Sequence, residues 1–83
     1  MKVAVRYFAS VREALGAGED VEIGAGASIA ALRDALVARG GRHAEALGRQ
    51  RLLRSARNRV LCAESTTLAE GDEVGFFPPL TGG

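Results

Sequence analysis

The segment between Gly24-Ala25-Gly26 and Gly40-Gly41 carries one apolar stripe and nothing of its own to cover it. Ile29, Leu32 and Leu36 recur at i, i+3 and i+7, flanked by Ala35 and Val37, which gathers them on one face of a helix. Ser28 supplies an N-cap hydroxyl and Gly40-Gly41 a stop. Arg33 and Asp34 fall outside the stripe and are expected to face water or the rim. In a chain of 83 residues the cover must come from the rest of one domain. That remainder reads mostly as strands. Val3, Val5 and Tyr7 alternate with Lys2, Ala4 and Arg6 in a strand over 2–8, and further strands are expected over 20–23, 59–63 and 74–77. Residues 10–15 read as a short helical turn closed by Gly16, Gly16-Ala17-Gly18 as a turn, and 43–47 as one more helical turn ended by Gly48. Arg49-Gln50-Arg51 carries no clear signal. The order strand, strand, helix, strand, strand predicts an α+β fold, a mixed sheet with one main helix packed on one face.

Several function classes find no support. The chain is 47% hydrophobic and 25% charged, ordinary values for a globular domain. No run approaches the ~20 apolar residues of a membrane span, and Arg6 interrupts the N-terminal apolar pattern, so a cytoplasmic protein without a membrane partner is expected. There is no phosphate-cradling glycine loop and no dinucleotide fingerprint. His43, the one histidine, lies between Arg42 and Glu45 and reads as solvated rather than as a base. Cys62, the one cysteine, sits in Val60-Leu61-Cys62-Ala63 and reads as a small buried hydrophobe rather than a reactive thiol. No cluster has metal-ligand spacing, so no metal site is expected. Seven of the 11 basic residues lie between Arg39 and Arg59, opposed there by Glu45, while Glu64 to Glu73 holds four acids and no base. A solvated face explains the basic stretch better than a nucleic-acid site, because no aromatic residue is interleaved to stack on bases.

The informative segment is the last one. The strand ending at Phe77 is stopped by Pro78-Pro79, since proline lacks the donor a ladder needs. The division expected is a domain over 1–77 and a projecting tail over 78–83. Six extended residues reach on the order of 20 Å, and the prolines stiffen the departure. Gly82 and Gly83 have no side chains and fit a slot too narrow for other residues. A carboxylate on such an arm suits insertion into another protein's active site. Adenylation would give it a leaving group, and a sulfur nucleophile could then displace AMP to form a thiocarboxylate.

Tyr7-Phe8-Ala9-Ser10-Val11-Arg12-Glu13, the helix over 29–37 and Gly71-Asp72-Glu73-Val74-Gly75-Phe76-Phe77-Pro78-Pro79-Leu80-Thr81-Gly82-Gly83 together resemble the small subunits of molybdopterin synthase, ubiquitin-like sulfur carriers of the β-grasp fold. The middle departs from that family, with Ala56-Arg57-Asn58 where members often show Ala-Val-Asn. The resemblance implies that Gly83 is adenylated by an ATP-dependent enzyme of the ubiquitin-activating type and is then sulfurated by a donor protein. The carrier itself would bind no cofactor, ATP being used by the activating enzyme. The loaded tail would enter the large subunit of molybdopterin synthase, a heterotetramer, and give its sulfur to cyclic pyranopterin monophosphate. Gly82 would give clearance, and Leu80 and Thr81, following Pro79, would line the partner's channel. Phe77 is the expected partner contact, because Phe76 shares a face with Val74; the reverse assignment stays open. Carriers for thiamin or tRNA thiolation, and ubiquitin-like protein modifiers, also remain open.

Overall fold

The computed structural model describes residues 1–79. Strict alternation sets the first strand, β1 (Lys2–Tyr7): Val3, Val5 and Tyr7 are buried, Lys2 and Arg6 exposed. It is followed by α1 (Ala9–Leu15), β2 (Gly18–Glu22), α2 (Ile29–Val37), α3 (Gly41–Leu47), β3 (Arg54–Arg57), β4 (Val60–Cys62) and β5 (Glu73–Phe77). The sheet order is β2-β1-β5-β3-β4. β1 and β5 pair in parallel, with Val5 beside Val74 and Tyr7 beside Phe76, and the other neighbours are antiparallel. The sheet is therefore mixed. It is the β-grasp arrangement, in which the central pair joins the two ends of the chain.

The stripe of α2 closes the core on one face. Ile29, Leu32 and Leu36 are fully buried together with Val3, Val5, Tyr7, Val74 and Phe76. Ala31 N donates to Ser28 Oγ at 3.1 Å, the cap read from the sequence. Gly40 at φ 74 separates α2 from α3. The turn expected over 43–47 is a complete helix, α3, whose Leu47 is fully buried.

Several expectations need correction. Among the described residues the sheet has five strands. Arg54-Ser55-Ala56-Arg57 lacks an apolar alternation, yet it forms β3 because β4 and β5 pair with it on both sides. β2 begins at Gly18, not residue 20, and ends at Glu22. Cys62 is half-buried against the core's edge rather than fully enclosed. Arg33, expected at the surface, is 3% exposed. Its Nε donates to Leu47 O at 2.6 Å and its Nη2 to Gly48 O at 2.9 Å and Arg51 O at 2.8 Å. Its Nη1 meets Glu64 Oε2 at 2.6 Å. One guanidinium thus satisfies the carbonyls at the end of α3, where helix carbonyls lack intrahelical donors.

Nor is the basic stretch simply solvated. Arg49 joins Glu64 at 2.6 Å and Asp34 at 2.9 Å, Arg57 joins Asp72 at 3.0 Å, and Arg59 faces Glu73 at 3.5 Å. The acidic stretch over 64–73 folds against the basic one and cancels much of it. Burial works to raise the Glu64 carboxyl, but the hydrogen bonds from Arg49 and Arg33 outweigh it and hold the carboxyl low.

Candidate functional site

β5 places the residues singled out at the end of the sequence. Val74 and Phe76 are fully buried beneath α2, so Gly75 and Phe77 point to the opposite, helix-free face. Phe77 is half-buried there. Phe8, just beyond β1, is 43% exposed, and its ring meets that of Phe77 edge to face, centroids 6.3 Å apart at 85°. The Phe8 ring packs close to the backbone of residue 75, where a Cβ would stand 3.1 Å from Phe8 Cε2. Phe8 N also donates to Phe76 O at 3.2 Å, which fixes the ring's origin beside β5.

The strand register carries this surface across the sheet. Arg6 stands beside Gly75, Gly75 beside Ala56, and Ala56 beside Leu61. Leu61 is 55% exposed. The result is an apolar groove floored by Gly75 and Ala56, walled by Phe8, Phe77 and Leu61, and edged by Arg6, Arg59 and Glu73. Pro78 and Pro79 form its end, so the base of the expected tail is part of the groove. Pro78 also borders a second depression between α1 and α3, lined by Val11, Ala46, Leu52 and Leu53 with Arg42 and Arg51. Leu80, Thr81, Gly82 and Gly83 lie outside the described residues.

Phe8, Gly75, Ala56 and Leu61 were not singled out from sequence as site residues. Phe8 had a usable signal, since it continues the outward parity of Lys2, Ala4 and Arg6. Leu61 had none, because the run Val60-Leu61-Cys62-Ala63 shows no alternation.

His43 does not join this groove. Its Nε2 lies 2.8 Å from Glu19 Oε2, which also accepts from Tyr7 Oη at 2.8 Å. Arg39 Nη1 donates to Glu19 Oε1 at 2.5 Å. His43 is therefore a tie between α3 and β2, not the free solvated side chain expected. Burial raises the Glu19 carboxyl, but the bonds from His43, Arg39 and Tyr7 together bring it down to about 2. Burial, reinforced by Glu19, pushes the Tyr7 hydroxyl up. Among the described residues no three His, Cys, Asp or Glu side chains are placed to hold a metal ion, and no helix is long and apolar enough to cross a membrane. The apolar groove runs as far as Pro79, the last described residue.

Comparisons with known proteins agree with the fold. The profile of the ThiS family matches residues 5–83. A molybdopterin synthase sulfur carrier subunit of Escherichia coli is 42% identical over 82 residues, covering 98% of this chain and 99% of the relative. The small archaeal modifier protein 1 of Haloferax volcanii superposes with a TM-score of 0.77 at 26% identity, over 95% of this chain and 98% of that one. A chain from the complex of subunits 1 and 2 of the molybdopterin-converting factor of Helicobacter pylori superposes with a TM-score of 0.69 at 27% identity, over the whole of both.

Proposed function

The chain belongs to the ThiS family, and on that premise we propose that it is the sulfur carrier of molybdopterin synthesis, acting through the carboxylate of Gly83. The observation that carries this reading is continuity. The exposed aromatic groove of Phe8, Phe77 and Leu61 runs directly into Pro78 and Pro79, and the Leu80-Thr81-Gly82-Gly83 end follows them in sequence. The full-length likeness to the E. coli sulfur carrier subunit supports it.

In this reading the residues divide the work. The groove docks on a partner, with Phe8 and Phe77 as aromatic anchors of the kind that dominate interface energetics. Pro78 and Pro79 aim the tail. Leu80 and Thr81 occupy the partner's channel, and Gly82 lets the chain pass its narrowest part. In an ATP-dependent activating enzyme the Gly83 carboxylate oxygen bonds to the α-phosphorus of ATP as the bond to pyrophosphate breaks, leaving an acyl-adenylate. Sulfur from a donor protein then forms the new C–S bond as the C–O bond to AMP breaks. The resulting thiocarboxylate enters the large subunit of molybdopterin synthase and gives up its sulfur to cyclic pyranopterin monophosphate. Two carriers on a large-subunit dimer make the heterotetramer. The H. pylori relative was solved in complex with its subunit 2, which supports such a partner here.

The likeness to an archaeal modifier protein favours one second reading, conjugation of Gly83 to lysines of other proteins. Intact mass after incubation with ATP, activating enzyme and a sulfur source separates the two. Exchange of one oxygen for sulfur at the C-terminus supports the carrier. Lysine conjugates without any thiocarboxylate would sink it. Deleting Gly83 should abolish sulfur transfer while the domain still folds.

A further inference from the structure

The aromatic groove has a charged rim as well as an apolar floor. Several arginines are engaged inside the domain: Arg33 and Arg49 meet Glu64, Arg39 meets Glu19, and Arg57 meets Asp72. Arg6 and Arg54 take no part in these pairs, and both are exposed. Strand register fixes where they stand. Arg6 is the β1 neighbour of Gly75, and Arg54 is the β3 neighbour of Phe77. Paired residues share a face, and Phe77 lies on the helix-free one, so both arginines leave the sheet on the groove side. β5 runs between them. Two strand spacings across and two residues along put their Cα atoms on the order of 12 Å apart. The Phe8 ring over Gly75 and the Phe77 ring beside it therefore lie between two cationic positions.

The rim is not of one sign. Glu73 edges the same groove, with Arg59 at 3.5 Å. A polyanion such as RNA would set phosphates against Glu73, which its like charge opposes. A folded protein surface suits the whole pattern. An apolar side chain fills the groove, and a carboxylate on either side meets a guanidinium, whose planar fork binds both carboxylate oxygens.

We propose that Arg6 and Arg54 are specificity-determining residues of this groove, and that they select a partner surface whose apolar ridge is flanked by two carboxylates spaced to match them. This rests on the reading that the groove docks on the large subunit, and it states the chemistry that the large subunit must present there. Rim charges stay close to water, so they act on encounter and register more than on raw affinity. At ~0.1 M salt the screening length is about 10 Å, close to the separation of the two arginines, so each meets its own carboxylate. Two cations and the Glu73 anion, placed without symmetry, also oppose a rotated pose, because rotation brings like charges together.

Stopped-flow association of the full chain with the large subunit tests this. For the wild type the association rate should fall about tenfold between ~20 mM and ~500 mM salt. Arg6→Glu and Arg54→Glu should each associate about tenfold more slowly than wild type at the lower salt and at a similar rate at the higher, with dissociation changed by less than about threefold. Arg54→Gln, which removes charge without reversing it, should fall between, and Arg6→Lys, which keeps the charge, should match the wild type. Arg42→Glu changes net charge by the same amount on α3 and should stay within about twofold. Circular dichroism confirms that each variant is folded. The inference is overturned if the wild type binds and the folded Arg6 and Arg54 variants associate at its rate. Equal slowing by Arg42→Glu overturns it as well, because net charge would then be the cause. So does a single-stranded RNA oligonucleotide that binds through the same arginines more tightly than the large subunit. A wild type that does not bind the large subunit removes the docking reading and this inference with it. Binding that ignores both charge reversals removes this inference alone.

Discussion

The ring of Phe8 packs against the backbone of Gly75: a Cβ built at residue 75 would lie 3.1 Å from Phe8 Cε2, so the ring would have to give by a few tenths of an ångström. Gly75→Ala should therefore shift the ring slightly within the groove. Phe8 is half in solvent and can move, so the loss of stability should be small, about 1 kcal/mol. The affinity for the large subunit proposed as its partner should fall by about threefold, equivalent to ~0.6 kcal/mol. Calorimetric titration against the large subunit, with a melting curve beside it, checks both. A variant that binds as tightly as wild type removes Phe8 from the docking surface.

Leu61 and Leu52 make a matched pair of exposed leucines, 55% and 78% exposed. Leu61 walls the aromatic groove, whereas Leu52 belongs to the depression between α1 and α3. Leu61→Ser should weaken large-subunit binding, and Leu52→Ser should leave it within twofold. The reverse order would move the docking face to the helical side.

Arg33→Met should be the most damaging of these substitutions. It removes the donor for the carbonyls of Leu47, Gly48 and Arg51 and one of the two arginines on Glu64. Breaking a buried ionic hub from one side costs about 3 kcal/mol or more. Urea unfolding should show a lower midpoint at an unchanged slope.

Arg59→Gly should stabilise. Asn58 and Arg59, at φ 49 and 69, form the two-residue connection between β3 and β4. Both central positions of such a turn need positive φ, and glycine adopts it without strain. Asn58 is already suited: its Nδ2 donates to Asp72 Oδ1 at 3.0 Å, and its Oδ1 accepts from Glu73 N at 2.9 Å. Relieving residue 59 should add about 1 kcal/mol, against the loss of a long, exposed contact to Glu73. Chemical denaturation decides the sign.

Acid should unfold the domain in a defined window. Glu19 falls from an ordinary 4.5 to about 2 in the folded chain, and the Asp72 and Glu64 carboxyls are also held low. The Asp72 carboxylate is held chiefly by Asn58 and the backbone N–H of Ala69. A depressed carboxyl contributes stability that is complete above its unfolded value and is lost as pH falls through its folded value. Stability should therefore hold above pH ~5 and decline from there toward pH ~2. Glu19→Gln should flatten part of that decline, and thermal melts across this range would show whether it does.

How much was legible depended on where each element gets its stability. β1, α2 and β5 carry their own pattern: the alternation of Val3, Val5 and Tyr7, the stripe behind Ser28, and Val74 to Phe77 before two prolines. β3 does not. Arg54-Ser55-Ala56-Arg57 offers Ser55 to the interior and is a strand because its neighbours on both sides supply its hydrogen bonds. Arg33 was misread for a related reason. Charge suggested the surface, but the carbonyls that accept from it lie 14 to 18 residues downstream and only folding brings them together. Phe77 could be assigned a face by parity, whereas the groove it belongs to needs Leu61 and Ala56, which only the β3–β4 hairpin brings alongside β5.

The parallel pairing of β1 with β5 has a consequence for biosynthesis. The centre of the sheet is made from the first strand and the last one, so the ribosome must release residue 77 before that centre can close. Until then β1 has only β2 beside it, and the two-stranded ribbon is marginal by itself. A chain cut short before β5 lacks the strand that joins its two halves and should be left to the cell's proteases. Folding in this protein is thereby a proofreading step: a native domain is one that has been translated through to Phe77.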